Sequence, residues 1–275
     1  MLKDKKKLTI LIVAIIIIIL AIFLIIRSSK SDVRTSVAEE YKYNTVIISN
    51  DNAPKEGQPQ LDSINGYVED KEQKLATLPY AIEKTETGET TTVLEVVSIG
   101  KYTGAYTLNN KNEQVEDIFA MVVKNPTDKV LSIASIDITY AKDLVSSINP
   151  SNIPPHQSTL VFFSSQPIAY ADVTEFECSV DYAVQSDKLP LLEGKVGVDY
   201  KDGNLIITNL TSEFLGDVYV RYQNIAGGNT YLGGNTYSAY AANVQPYETY
   251  LIPAPDFNKE NSVIISVESV ITQQN

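Results

Sequence analysis

Residues 122–140 read VVKNPTDKVLSIASIDITY, and residues 206–222 read IITNLTSEFLGDVYVRY. Each has an apolar pair, a polar residue, Asn-x-Thr, and two apolar residues five and six places after the Asn. An alternating run ending in Tyr follows in both. Further along, NIPPHQSTLVF (152–162) matches NVQPYETYLIP (243–253), and FECSVDY (176–182) matches VIISVES (263–269). The order of matches is the same in both halves. The offset is 84 at the first match and 91 at the second, so the later copy carries a longer middle loop. A repeat of this kind predicts two tandem units, residues 90–185 and 190–275.

The units read as all-β. From residue 90 onward the chain is a series of short runs such as TTVLEVVSIG, FAMVVKN, TLVFFSS, NLIITN and SVIISVES, many of them separated by Pro, Gly, Asn or Asp. Helical i, i+3, i+4 stripes of useful length are absent from this part. Many short strands at close intervals argue for sandwiches. Asp202-Gly203, between GVDYK and NLIITN, predicts a type I′ hairpin, because both central residues must take positive φ. Residues 35–89 change character repeatedly; Pro54, Gly57 and Pro59 break a polar, acidic stretch at 49–74. That composition predicts a partly disordered stalk, with a strand at 43–49 and a turn of helix at 70–77 as its ordered pieces.

The sandwich pattern resembles the FxLYD-type domains, small immunoglobulin-like modules of membrane-anchored and secreted bacterial and archaeal proteins. The residues carrying the likeness are the Asn-x-Thr turn, the strand after it, and the Pro-marked turn into the next strand, about two thirds of each half. Where the family has its Phe-x-Leu-Tyr-Asp core, this chain has Ile136-Asp137-Ile138-Thr139-Tyr140 and Val218-Tyr219-Val220-Arg221-Tyr222, so the Tyr alone corresponds. Where the family has Pro-Gly, it has Pro155-His156 and Pro246-Tyr247. The resemblance implies two tandem immunoglobulin-like sandwiches in an envelope protein, and implies no enzymatic activity and no ligand.

The N-terminus predicts location. Residues 8–26, LTILIVAIIIIILAIFLII, hold 19 residues without a charge. As a helix they would span about 28 Å, close to the hydrocarbon thickness of a bilayer. No small-x-small cleavage site follows, so an uncleaved anchor is expected over a signal peptide. Lys3, Lys5, Lys6 and Lys7 precede the span, against Arg27, Lys30 and Arg34 behind it, which favours a cytoplasmic N-terminus and an extracellular body. Residues 1–34 hold 7 of the 22 basic and 2 of the 34 acidic groups, leaving 15 against 32 and a net of −17 in the rest. A body that acidic repels nucleic acid and an anionic membrane surface. The expected partners are therefore the lipid bilayer, through residues 8–26, and a protein or glycan, with no nucleic acid.

Groups for catalysis are few. His156 is the sole histidine and Cys178 the sole cysteine, so neither a two-His metal site nor an intramolecular disulfide is available. His156 reads as a turn residue. Strand alternation puts Phe176, Cys178, Val180 and Tyr182 on an inward face and Glu175, Glu177, Ser179 and Asp181 outward, burying the thiol. No nucleophile elbow, His-Glu-x-x-His or phosphate loop occurs. Asp199, Asp202 and Asn204 lack the spacing of a calcium loop. No catalytic residue, cofactor or metal is expected. Asn209-Leu210-Thr211 is formally a glycosylation sequon but is the repeat's own turn signature.

Tyrosine is the compositional outlier: 17 in the chain, seven of them between Tyr219 and Tyr250, and no Trp. Tyr supplies amphipathic contact area at small entropic cost. Within GGNTYLGGNTY (227–237), Gly227-Gly228-Asn229 reads as a hairpin tip and Gly233-Gly234-Asn235 as a bulge or bend. Tyr231, between them, is expected to be the most exposed. With Tyr237, Tyr240 and Tyr247 it forms the candidate contact set. Two functions compete: a membrane-anchored extracellular interaction or scaffolding protein of a bacterial envelope, or a carbohydrate- or peptide-binding receptor using the Tyr-rich loop. A scaffold requires an apolar patch or open sheet edge; a receptor requires several exposed Tyr rings in one concavity.

Overall fold

A computed structural model describes residues 53–72, 79–84, 88, 90–107, 113–140, 143–163, 165–173, 176–233 and 237–271. The expected anchor at 8–26, the strand at 43–49 and residues 73–77 of the helical turn lie outside the described residues. Among the described residues no helix is long and apolar enough to cross a membrane.

What is described is all-β, with two short 3-10 turns at Leu61–Ser63 and Tyr170–Val173. In the first unit, β3 (Thr90–Tyr106), β4 (Glu113–Lys124) and β8 (Ser158–Phe162) form one sheet. Two short strands, β1 (Tyr67–Glu69) and β2 (Tyr80–Lys84), share the other edge of β3. The facing sheet is centred on β5 (Val130–Tyr140), with β9 (Phe176–Ser186) on one side and β6 (Leu144–Ile148) and β7 (Ser151–Ile153) on the other. Leu94, Phe119, Met121 and Val161 from the first sheet share a buried core with Leu131, Ile136, Ile138 and Ile148 from the second.

The second unit repeats this wiring. β10 (Val196–Lys201), β11 (Asn204–Asn209) and β15 (Thr249–Pro253) form one sheet. The other has β12 (Gly216–Gly227) between β14 (Tyr237–Val244) and β16 (Ser262–Val270). Its core joins Val198, Leu205 and Ile207 to Val218, Val220, Tyr222 and Ile264. The expected hairpin is present, with Asp202 at φ 50° and Gly203 at φ 79°.

Hydrogen bonds repeat as faithfully as strands. Asn125 Nδ2 donates to Lys129 O and Ile153 O, and Asn209 Nδ2 donates to Glu213 O and Gln245 O. Each Asn Oδ1 accepts both the backbone N–H and the hydroxyl of the Thr two places on. This Asx-turn ties the strand end to the Pro-marked turn of the same unit. Asn152 and Asn243 are both at φ 51°, and His156 and Tyr247 at φ 55° and 57°. The offset of 84 continues without a gap along the central strands, since Ile136 pairs with Val180 as Val220 pairs with Val267. Ile138 therefore corresponds to Tyr222, so the tyrosines that end the two runs do not occupy equivalent places.

The longer loop of the second unit has a structural role. After Gly227 the chain turns through Gly228 and Asn229 into β13 (Thr230–Leu232), which pairs back with β12 and also, in parallel, with β8 of the first unit. A single nine-stranded sheet thus runs through both units. Part of the expected stalk is also folded onto the body. Residues 118–124 of β4 are buried without alternation, so both faces of that strand need cover. Ile118, Ala120 and Val122 pack on the outer side against Ile64, Tyr67, Leu160, Phe162 and Ala226. Residues 53–69 supply this third layer, anchored by Gln60 N to Gly228 O at 2.8 Å and Asn65 N to Ala226 O at 2.9 Å.

Candidate binding surface

The four tyrosines do not form one surface. Tyr231, expected at the exposed loop tip, is fully buried at 0 % exposure. Because β13 is inserted between the units, its ring packs on Val263, Ile265 and Ala53. Burial raises its hydroxyl pKa, and that hydroxyl meets no hydrogen-bond partner among the described residues. Tyr237 is also buried, in the second core, stacked on Tyr222 at 5.4 Å. Burial pushes its phenol up to about 12, with Asp256 adding to the effect. Tyr240 is exposed on the solvent face of β14, paired across the strand with Tyr219 at 4.9 Å and donating to Asp217 at 3.0 Å. That hydrogen bond raises its pKa. Tyr247 is exposed in the turn between β14 and β15. Two of the four are core residues, a pair by a pair, and the other two stand on different features.

The remaining polar candidates fall into structural places. His156 Nε2 lies 2.8 Å from Asp128 Oδ1 in a turn. Cys178 faces inward against the first core, and burial, with a smaller contribution from Asp137, pushes its thiol up to about 12. A thiol so raised is a poor nucleophile at neutral pH. Asn209 is 1 % exposed and both its amide and carbonyl groups are engaged, so it reads as the turn residue and offers no accessible amide for a glycan. Among the described residues no group of three or more His, Cys, Asp or Glu is placed to hold a metal ion.

The surface that does stand out lies at the side of the first sandwich. Among the described residues β9 pairs with β5 alone and β2 with β3 alone. These two edges border a groove of about 480 Å³ lined by Tyr80, Ala81, Ile82, Val180, Tyr182 and Val184, with Asp181, Lys129 and Gln185 among its polar members. The exposed apolar residues are large: Tyr80 59 %, Ile82 49 %, Tyr182 43 % and Val184 50 %.

Local irregularities create this lining. The β5–β9 register shifts between the pairs Ser135–Tyr182 and Ile136–Val180, leaving Asp181 as an extra residue. A bulge of one residue reverses the faces beyond it. Phe176, Cys178 and Val180 therefore point inward as the alternation requires, but Tyr182, expected beside them, points out. At β2 the extra residue is Val93 of β3, and plain alternation along β2 leaves Ala81 against the core with Tyr80 and Ile82 in solvent. Neither bulge has a Gly or Pro to announce it. Comparison with known protein families, with curated proteins and with solved structures finds no match to this chain.

Proposed function

We propose that this chain is a non-enzymatic, membrane-anchored interaction or scaffolding protein, with two immunoglobulin-like sandwich modules presented outside the cell membrane of a bacterial envelope. The observation that carries the reading is that, among the described residues, the edges of β2 and β9 are unpaired and four large apolar side chains are exposed beside them. Such a combination is costly to leave bare, because unpaired strand edges and apolar patches invite association. The burial of Tyr231 and Tyr237 weighs against the alternative of a carbohydrate- or peptide-binding receptor using the Tyr-rich loop, which needs those rings in one accessible concavity. The anchor is assigned to residues 8–26, on their length and lack of charge.

The test is a photo-crosslinking amino acid placed at Tyr182 and, as a control, at Tyr240, in the full chain in its native envelope. Crosslinks to protein at Tyr182 and none at Tyr240 support the reading. Recovery of peptidoglycan or other glycan fragments alone would overturn it. Alkaline carbonate extraction checks the anchor: the chain should stay with the membrane, and a form lacking residues 1–34 should be released.

A further inference from the structure

The two modules differ in how their side opening is closed, and the difference points to what fills the groove. Before β10 the chain reads Pro190-Leu191-Leu192-Glu193-Gly194-Lys195; at β2 it reads Pro79-Tyr80-Ala81-Ile82-Glu83-Lys84. Each strap leads into the first long strand of its own module, β3 in one and β10 in the other. Pro190 O accepts from Val267 N of β16 at 2.6 Å, while Leu191 and Leu192 pack against the second core. The strap thereby meets the edge of the last strand of its module at Val267. Pro79 O instead accepts from Val96 N of β3 at 3.1 Å, and the strap continues as β2 on the opposite sheet. Val180 is the counterpart of Val267, and it lines the groove.

We infer that an extended strand from another protein, with alternating aliphatic and basic side chains, adds to the open edge of β9 and lies in the groove beside β2. This deepens the proposed interaction function and rests on it. Strand addition supplies affinity through main-chain hydrogen bonds and specificity through alternate side chains. The aliphatic side chains meet Tyr80, Ile82, Tyr182 and Val184. A basic one meets Asp181, the exposed extra residue of the bulge. Lys129 is the one cation among the lining residues, and it lies 3.9 Å from Asp187. A second copy of the chain suits the site less well, because the body carries a net charge of −17 and like charges placed opposite one another across a strand pair repel.

The test uses the full chain in lipid nanodiscs and two fluorescein-labelled peptides, Lys-Val-Lys-Val-Thr-Val-Lys and Glu-Val-Glu-Val-Thr-Val-Glu, followed by anisotropy. The basic peptide should bind at least about 10-fold more tightly, and Asp181→Lys should weaken it by about 5-fold, the upper range for one exposed charge pair. Val180→Pro should abolish binding by removing an edge N–H. Tyr182→Glu is the second variant, in case the proline disturbs folding, and it should weaken both peptides. Equal binding of the two peptides, or binding indifferent to Asp181→Lys and Tyr182→Glu, overturns the inference. So does self-association that Tyr182→Glu abolishes, which would make a second copy the occupant. If neither peptide binds while Tyr182 still crosslinks to protein in the envelope, strand addition alone falls; glycan at Tyr182 removes the interaction reading as well.

Discussion

Tyr231 on β13 lies opposite Thr159 on β8 in parallel register, one residue from each module. This is the only parallel pairing among the described residues. Thr159 Oγ1 donates to Gly233 O at 2.9 Å, and Gln223 Nε2 donates to the same carbonyl at 3.2 Å. The seam between modules is thus a strand ladder with a buried ring in it. Domains joined by a flexible link tolerate change at the link; this seam should behave as core.

Tyr231→Ala should cost about 3–5 kcal/mol, the usual loss for removing a large buried ring. Tyr231→Phe should be neutral or stabilise by up to about 1 kcal/mol, since the hydroxyl it removes is buried and unpartnered among the described residues. Urea unfolding of both variants checks this. An alanine variant within about 0.5 kcal/mol of the parent, as for a surface residue, would contradict the burial.

Gly228 tests the packing of residues 53–66. A Cβ there would lie 2.3 Å from Gln60 O, and φ is +57°. Gly203, at φ +79°, has nothing within 4 Å of the same position. Gly203→Ala should therefore cost about 1 kcal/mol for the backbone alone. Gly228→Ala should cost distinctly more and speed proteolytic cleavage within 53–66. Equal costs would mean that the segment is not held against the turn.

Asn125 and Asn209 should be equivalent and unforgiving. Each satisfies several backbone groups that would be left unpaired on truncation, at about 1–3 kcal/mol apiece. Asn125→Ala and Asn209→Ala should each lower stability by about 3 kcal/mol or more in thermal or urea melts. Expressed in a glycosylating host, the parent chain should show no added mass at Asn209. A glycosylated Asn209 would require this turn to be open.

These residues also mark how far the fold was legible in the sequence. The Asn-x-Thr turns, the Asp202-Gly203 hairpin and the alternation of β10 and β12 follow from local chemistry, so pattern alone recovers the strand series. The β4 run FAMVVKN carried a further signal, because an unbroken apolar stretch implies cover on both faces. Its cover was harder to foresee. Residues 53–69 are polar and Pro-broken, yet Ile64 and Tyr67 suffice to pack on β4 once Gly227 and Gly228 let the backbones meet. The groove was illegible for a related reason. Tyr182 faces solvent because Asp181 is an extra residue in the ladder, a register choice made across strands with no trace in the local sequence.

Buried phenols and the half-buried Cys178 thiol set the response to alkali. Burial raises the pKa of Tyr67, Tyr222 and Tyr231, and places Tyr237 and Cys178 at about 12 against ordinary values of 10.0 and 9.0. A group whose folded pKa lies above its unfolded one contributes its full stability below the unfolded value. It loses that stability as pH climbs toward the folded value, because the unfolded chain releases its proton first. The urea midpoint should therefore hold to about pH 8, slip slightly near pH 9 as the unfolded Cys178 thiol ionises, and fall steeply from pH 10 to 12 as the phenols follow. Each such group steepens the fall by about 1.4 kcal/mol per pH unit. Tyr237→Phe should make the fall measurably shallower while leaving its onset in place, since the other tyrosines remain. In the native state at pH 8, iodoacetamide should label Cys178 at least ~100-fold more slowly than in urea. A midpoint flat to pH 12, or rapid native labelling, would show that these side chains reach water.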